Sequence, residues 1–308
     1  MITLNDVQLN SIIADIQWGY SPAGFFARRI LPVVQVTRPT GKYVKFDASH
    51  LRYIKSPSEG NTKAPQVDFG ASVANFQCEL HERDGWIPDF LSREMGDDIV
   101  VPISQMTQDS LLVEEERDLS TALNTTANFA YTNYLTPATL WDAAGADPWA
   151  GATTSIKAGL TFLYAYNGNR RKDIIMAVTP DVDLVLADFA RASIGNSGYD
   201  LPVEEVMARY CRVREYIVLD SSYNSAIMGQ TDSLAGCFGT KQCWMINVPA
   251  DQNILTPSFG KTIVDTAGSK VRNVKVENPL GNSIILSNSY DQETIDFHQI
   301  YWIKDCIS

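Results

Sequence analysis

The 308-residue chain is short of the residues that most site chemistry needs. It holds only three histidines, His50, His81 and His298. His81-Glu82 opens like a zinc HExxH motif, but Gly85 stands where the second histidine would be. There is no GxSxG nucleophile elbow and no GxxxxGK[ST] phosphate loop, so Gly195 to Gly198 reads as a plain loop. The five cysteines, Cys78, Cys211, Cys237, Cys243 and Cys306, form no CxxC pair. That count and spacing fit reduced thiols used as small apolar fillers, not a disulfide or metal scaffold. No run approaches the roughly 18 apolar residues of a membrane helix. Met1 to Asn10 lacks the basic and apolar regions of a secretory signal. Positive charge is also short, with 25 Lys+Arg against 36 Asp+Glu and a net charge of -11. Such a chain is a poor general binder of phosphates, because that binding needs cations to displace condensed counterions.

What is present is a globular composition, 45% apolar and 20% charged. The length suits roughly two domains of about 150 residues. The charge is unevenly placed. Residues 1–63 hold eight Lys/Arg and four acids, a net +4, and the rest of the chain carries -15. A basic arm on an acidic body suits binding to nucleic acid or to the acidic body of another copy; chance composition is the plain alternative.

Residues 1–37 read as an arm. Phe25, Phe26, Ile30, Leu31, Val33, Val34 and Val36 make it too apolar to hang free, so it needs a surface in this subunit or another. Thr40 to Asp47 has a strand pattern. A polar, turn-forming stretch follows from Ala48 to Pro65. Val67, Phe69, Ala71 and Val73 then alternate on one face, and Phe76, Cys78 and Leu80 on the other, which predicts a bulge near Ala74 and Asn75. The whole is a long hairpin. Two strands alone are marginal in water, so it must pack on something.

Pro102 suits a helix start and Pro137 a helix end. Between them Leu112, Leu119, Leu123, Ala127, Ala130 and Tyr134 share one face, predicting a helix over 103–134 about 48 Å long. Glu114, Glu115, Glu116 and Asp118 mostly lie off that face. Residues 138–152 read as a connector and 154–166 as a helix with Ile156, Leu160 and Leu163 inward. Asp173 to Val178 is a buried strand. Thr179-Pro180 opens a helix with a cap residue. Pro202 to Tyr210 is a short helix, Arg212 to Leu219 and Lys241 to Val248 are strands, and residues 259–303 are mostly β. Asp181 and Asp183 form a DxD pair that could bind a metal. They sit at a helix start, where acids favour the dipole, and the structural role is preferred. Asn124 heads a glycosylation sequon in mid-helix and is discounted.

The element order resembles the major capsid proteins of tailed phages with the Hong Kong 97-type fold. It is closest to short, unprocessed members in which an Arg-x-x-Pro-Val-x-x-Val arm leads to a Ser/Thr-Gly-Lys-Tyr strand. Here the stretches are Arg29 to Val36 and Thr40 to Tyr43. Trp86 to Asp89 resembles the hairpin exit, and Leu255 to Thr262 the return to the peripheral domain. The resemblance implies an α+β fold: N-terminal arm 1–37, extended β-hairpin (E-loop) 38–84, peripheral domain 85–154 and 256–308 with spine helix 103–134, and α/β axial domain 155–255. It also implies no catalysis, no cofactor and no metal. The subunit would self-assemble into pentamers and hexamers of an icosahedral shell enclosing double-stranded DNA without sequence-specific binding. Separate scaffolding, portal and decoration proteins would be its partners, in a virion capsid assembled in the host cytoplasm. The family's leading scaffolding segment has no counterpart before this arm, and no Lys–Asn cross-link is expected from Lys55, Lys63 and Asn282. Interface candidates are Phe25, Phe26, Arg28, Arg29, Arg38, Lys42, Lys45, Arg52, Lys55 and Lys63. Two other readings stand beside it: an encapsulin-like shell enclosing a cargo enzyme, and a cytosolic hydrolase using a metal at Asp181 and Asp183.

Overall fold

A computed structural model describes residues 24–46, 71–95, 99–129, 134–150, 154–166, 173–194, 203–226, 230–249, 258–277 and 280–308. The elements in chain order begin with α1 Ala27–Ile30, β1 Val33–Val36, β2 Thr40–Phe46, β3 Ala71–Gln77, β4 Glu79–Pro88, α2 Asp89–Met95, α3 Val100–Asn124 and β5 Tyr134–Leu135. Next come α4 Ile156–Tyr166, β6 Ile174–Val178, α5 Pro180–Ile194, α6 Val203–Cys211, β7 Glu215–Val218, β8 Ser222–Asn224 and β9 Leu234–Gly236. The chain closes with β10 Cys243–Asn247, β11 Gly260–Asp265, β12 Lys270–Glu277, β13 Leu280–Thr294 and β14 Ile300–Ile303.

Among the described residues there are two five-stranded sheets. The first is organised on β13. One edge of this strand carries β4, and the other carries β12 and then β11, with β1 added in parallel beyond β11. The second has the order β5-β14-β10-β6-β7. Its inner strands read Ile-Ile-Met-Ala-Val, Cys-Trp-Met-Ile-Asn and Ile-Tyr-Trp-Ile, and every residue in them is buried. Continuous apolar runs of this kind mark a sheet covered on both faces. On one face Ile174, Met176, Val178, Met245 and Tyr301 pack with Ile156, Leu160 and Leu163 of α4, Val182 and Leu186 of α5, and Met207 of α6. On the other, Ile175, Ala177, Trp244, Ile246 and Trp302 pack with Leu119 and Leu123 of α3 and with the arm residues Phe26, Ala27, Ile30 and Leu31.

Of the two surfaces open to the arm, in this subunit or another, residues 26–31 use the first. Phe26, Ala27, Ile30 and Leu31 are part of that core, and β1, which follows them, is a strand of the first sheet. The boundary drawn at residue 256 does not follow the sheets. Ile300–Ile303 pairs with Cys243–Ile246, and Trp141 donates its N–H to the Cys306 carbonyl at 2.7 Å, so the chain end closes the second sheet.

The long helix is shorter than the periodicity predicts and starts earlier. It spans Val100–Asn124, about 38 Å at 1.5 Å per residue. Pro102 lies within its first turn, where a missing N–H costs nothing. Thr125 turns to extended geometry, φ -88° and ψ 107°. Two packing contacts override the Ala127–Ala130–Tyr134 pattern. Trp244 donates its indole N–H to the Leu123 carbonyl at 3.3 Å, taking up a helix-end acceptor. Phe129 lies against Trp302, ring centroids 5.1 Å apart.

The hairpin ladder is regular from Thr40↔Gln77 to Phe46↔Ala71, with no bulge at Ala74 or Asn75. The break falls at Cys78, where the chain leaves β3 and enters β4, and its N–H reaches the Pro39 carbonyl at 2.7 Å. Thr179 does not cap α5 with its side chain; its hydroxyl accepts from the Gln242 N–H at 3.0 Å. All five cysteines are free and buried, as expected of apolar fillers.

Because Leu119 touches the arm, α3 and the second sheet together, truncating it removes packing from all three. Leu119→Ala is expected to cost about 2–5 kcal/mol, whereas Met106→Ala, at a site 70% exposed, stays within about 0.5 kcal/mol. Denaturant midpoints at unchanged m-value check both.

Candidate assembly interface

The arm reaches the body through two adjacent acids in the middle of α3. The sequence reading put Glu115 and Glu116 mostly off the buried face, but both are buried, 1% and 0% exposed. Each is bonded to more than one other segment of the chain. Glu116 Oε1 accepts the N–H groups of Phe26 and Ala27, both at 2.5 Å, and its Oε2 accepts the Ser221 hydroxyl at 3.3 Å. Glu115 takes the Arg28 guanidinium in a two-point contact, Nε to Oε2 at 2.8 Å and Nη2 to Oε1 at 2.6 Å. Asn288 of β13 donates to Oε1 at 2.6 Å, and Gln292 donates to the Glu115 carbonyl at 3.0 Å. Burial pushes the Glu116 carboxyl up to about 7, against the pull of its three donors.

A legible signal for this pair does exist. The spacing Leu112, Glu116, Leu119, Leu123 runs 4, 3, 4, so Glu116 stands on the apolar stripe itself. An acid at such a position announces a partner brought by another element.

The interface candidates divide into groups. Phe26 is buried and Phe25 half-buried. Arg28 is spent on Glu115, and Arg29 is paired with Glu215 at the edge of the second sheet. Phe26, Arg28 and Arg29 belong to the chain's own arm-to-body contact. Lys45 donates to the Thr294 carbonyl at 3.1 Å and lies over the Tyr43 ring, 5.5 Å from its centre. Arg38 and Lys42 are exposed. Arg52, Lys55 and Lys63 lie outside the described residues.

The hairpin is tied down at its base only by what surrounds Tyr43 among the described residues. Tyr43, Phe76 and Cys78 pack with Ile263 and Ile295. Tyr43 donates to Glu293 at 2.9 Å, and the Gln77 N–H donates to Asp291 at 2.8 Å. Burial holds both carboxyls above their ordinary range, with the charge of Glu79 adding to it at Asp291 and the charge of Asp291 at Glu293. Beyond that base Val73 is 64% exposed, and on the body side of it Leu80, in the five-stranded sheet, is 56% exposed.

The motifs considered for chemistry are occupied by structure. Asp183 accepts the Tyr216 hydroxyl at 2.7 Å, and Asp181 accepts the Lys241 N–H at 2.7 Å, so the DxD pair faces two different partners. His81 stacks on Tyr290, centroids 4.3 Å apart, with Nδ1 3.1 Å from Glu114. His298 stacks on Tyr166 beside Asp296. Among the described residues no cluster of three His, Cys, Asp or Glu is placed to hold a metal ion.

No protein-family model and no curated protein matches the chain. Solved structures do. A phage-related protein from Bordetella bronchiseptica RB50 is 16% identical, with TM-score 0.75, covering 96% of this chain and 97% of that one. The chain has the fold of phage-capsid and virus-like-particle proteins. A virus-like particle from Pyrococcus furiosus matches at TM-score 0.57 and 11% identity over 98% of this chain and 100% of that one. The capsid of cyanophage P-SCSP1u matches at TM-score 0.54 and 12% identity over 91% and 87%. These matches each cover between 91% and 98% of this chain.

Removing Arg28 strands a buried carboxylate. Arg28→Ala is expected to lower the chain's stability by about 2–3 kcal/mol, at or just below the range of about 3–5 kcal/mol for broken buried pairs, because the guanidinium side is partly solvated. Arg38→Ala is expected to leave stability unchanged within about 0.5 kcal/mol. Urea denaturation of both variants checks the contrast.

Proposed function

We propose that the chain is the major subunit of an icosahedral shell of the Hong Kong 97 type, built from pentamers and hexamers around double-stranded DNA. The observation that carries this is the end-to-end match to capsid and virus-like-particle folds. The hairpin adds to it, because it carries exposed cations at its base, Arg38 and Lys42, and exposed Val73 just beyond it. On this reading residues 38–84 are the E-loop laid on a neighbouring subunit, and α3 is the spine helix. The first sheet forms the peripheral domain. The second sheet with α4, α5 and α6 forms the axial domain at the capsomer centre. The role is structural and not catalytic, and its place is the virion. Scaffolding, portal and decoration proteins are its further partners, with assembly in the host cytoplasm.

Many copies of a modest contact give a shell its strength. Exposed Arg38 and Lys42 meeting an acidic body set register and partner choice more than raw affinity. The acidic body also keeps packaged DNA from adhering. The arm does not serve this purpose in the way the sequence alone suggested: Phe26, Ala27 and Ile30 are core residues, so deleting residues 1–30 weakens the subunit itself.

Purified protein examined by negative-stain microscopy is expected to show closed shells, carrying nuclease-protected DNA when produced with the packaging machinery. Small shells that enclose a protein cargo and no DNA would favour the encapsulin-like reading. A protein that stays monomeric at high concentration would overturn both. Arg38→Glu with Lys42→Glu is expected to reduce shell yield severalfold at low salt while leaving the subunit's melting temperature unchanged; light scattering and calorimetry measure the two. Wild-type assembly should also weaken from 0.05 to 0.5 M salt, since exposed charge is screened over about 8–10 Å at 0.1–0.15 M.

A further inference from the structure

The two oxygens of Glu116 have different surroundings. Oε1 receives both arm N–H groups, from Phe26 and Ala27. Among the described residues Oε2 is met only by the Ser221 hydroxyl at 3.3 Å, a rotor that can accept as well as donate. A proton on Oε2 can therefore be given to Ser221 Oγ without disturbing either arm contact. No cation offsets a charge there among the described residues. On α3, Glu115 adds a like charge and Arg117 is turned out over the Tyr223 ring, 4.5 Å from its centre. From α1, Arg28 is taken by Glu115 and Arg29 by Glu215 of β7. From the segment after β9, the neighbouring titratable group is the neutral Cys237 thiol, itself held protonated by burial.

We propose that the seating of Phe26–Leu31 on α3 is a proton-coupled latch: the segment locks as Glu116 takes a proton from solvent and loosens as that proton returns to solvent. The arm is the natural moving part. Lifting Phe26 and Ala27 away opens the Glu116 carboxyl to water, whereas α3 and the second sheet are joined by Leu119, Leu123, Trp244 and Trp302 beneath it. The sign follows from the two environments. With the arm seated, burial pushes the carboxyl up to about 7. With the arm lifted, it returns to the ordinary carboxylate range near 4.5. The seated form thus binds more protons between these values. Seating is favoured at the acid end, is progressively lost as pH rises through about 7, and levels off above that. The inference concerns the single chain and stands or falls whether or not the chain forms shells.

Hydrogen–deuterium exchange of the purified full-length protein tests it, with protection factors corrected for the intrinsic pH dependence of exchange. Protection of the peptide spanning residues 26–31 is expected to fall by roughly tenfold to a hundredfold between pH 5 and pH 7.5. Peptides from β6 and β10 should hold steady over the same range. Glu116→Gln keeps an acceptor for the arm and removes the titration, so its arm protection should be flat with pH. An arm peptide indifferent to pH, a fall shared equally by β6 and β10, or an undiminished slope in Glu116→Gln would each overturn the latch. If Glu116→Gln does not fold, the wild-type profile alone decides, because only a loss confined to residues 26–31 fits the proposal.

Discussion

Two adjacent carboxylates hold this subunit together. Glu115 and Glu116 stand side by side on α3 and turn to different bodies. Glu115 looks to the first sheet, through Asn288 and Gln292, and Glu116 looks to Ser221, in the segment that leaves β7 of the second sheet. Both also hold the arm, one by the Arg28 side chain and one by the Phe26 and Ala27 backbone. Burying two neighbouring acids is costly unless every lone pair is used. Here the cost is offset only when arm, helix and both sheets are in place together. The contact therefore specifies one arrangement more than it adds raw stability, and the apolar layer of Phe26, Ile30, Leu31, Leu119 and Trp244 supplies the burial energy around it.

The arm and the hairpin, which share the basic charge of residues 1–63, consequently have different roles. Arm cations are spent inside the subunit, on Glu115 and Glu215. Hairpin cations remain on the surface at Arg38 and Lys42. β4 and β3 together act as one long arm of sheet that changes partner at Cys78, from β13 to β2. The first part is a full member of the five-stranded sheet. The second has only one strand beside it and a small apolar footing at Tyr43, Phe76, Ile263 and Ile295. A ribbon built this way is poorly supported alone and gains by lying on another molecule.

Most elements were legible because their patterns were local. The buried strands Ile174–Val178 and Cys243–Asn247, the helix with Ile156, Leu160 and Leu163 inward, and the hairpin base all follow from apolar runs and turn residues. What escaped depends on partners far along the chain. Helix α3 stops at Asn124 because Trp244 and Trp302 hold its end, and neither residue is visible from residues 103–134. The chain terminus joins the second sheet because Cys243–Ile246 offers an open edge, which local composition does not encode. Glu115 and Glu116 read as surface charge because a carboxylate is costly to bury unless donors arrive, and those donors come from about 90 residues upstream and from 105 and 173 residues downstream. The candidate surface followed the same rule: exposed Arg38 and Lys42 were readable as charge, while the inward use of Arg28 and Arg29 was not.

A cryo-electron microscopy map of the assembled particle, traced continuously from residue 26 to residue 88, tests the central division between arm and hairpin most directly. The account predicts that every subunit seats Phe26–Leu31 on its own Glu115 and Glu116 and lays residues 47–70 on a neighbour. An arm exchanged onto another subunit's α3, or a hairpin folded back onto its own body, would contradict it.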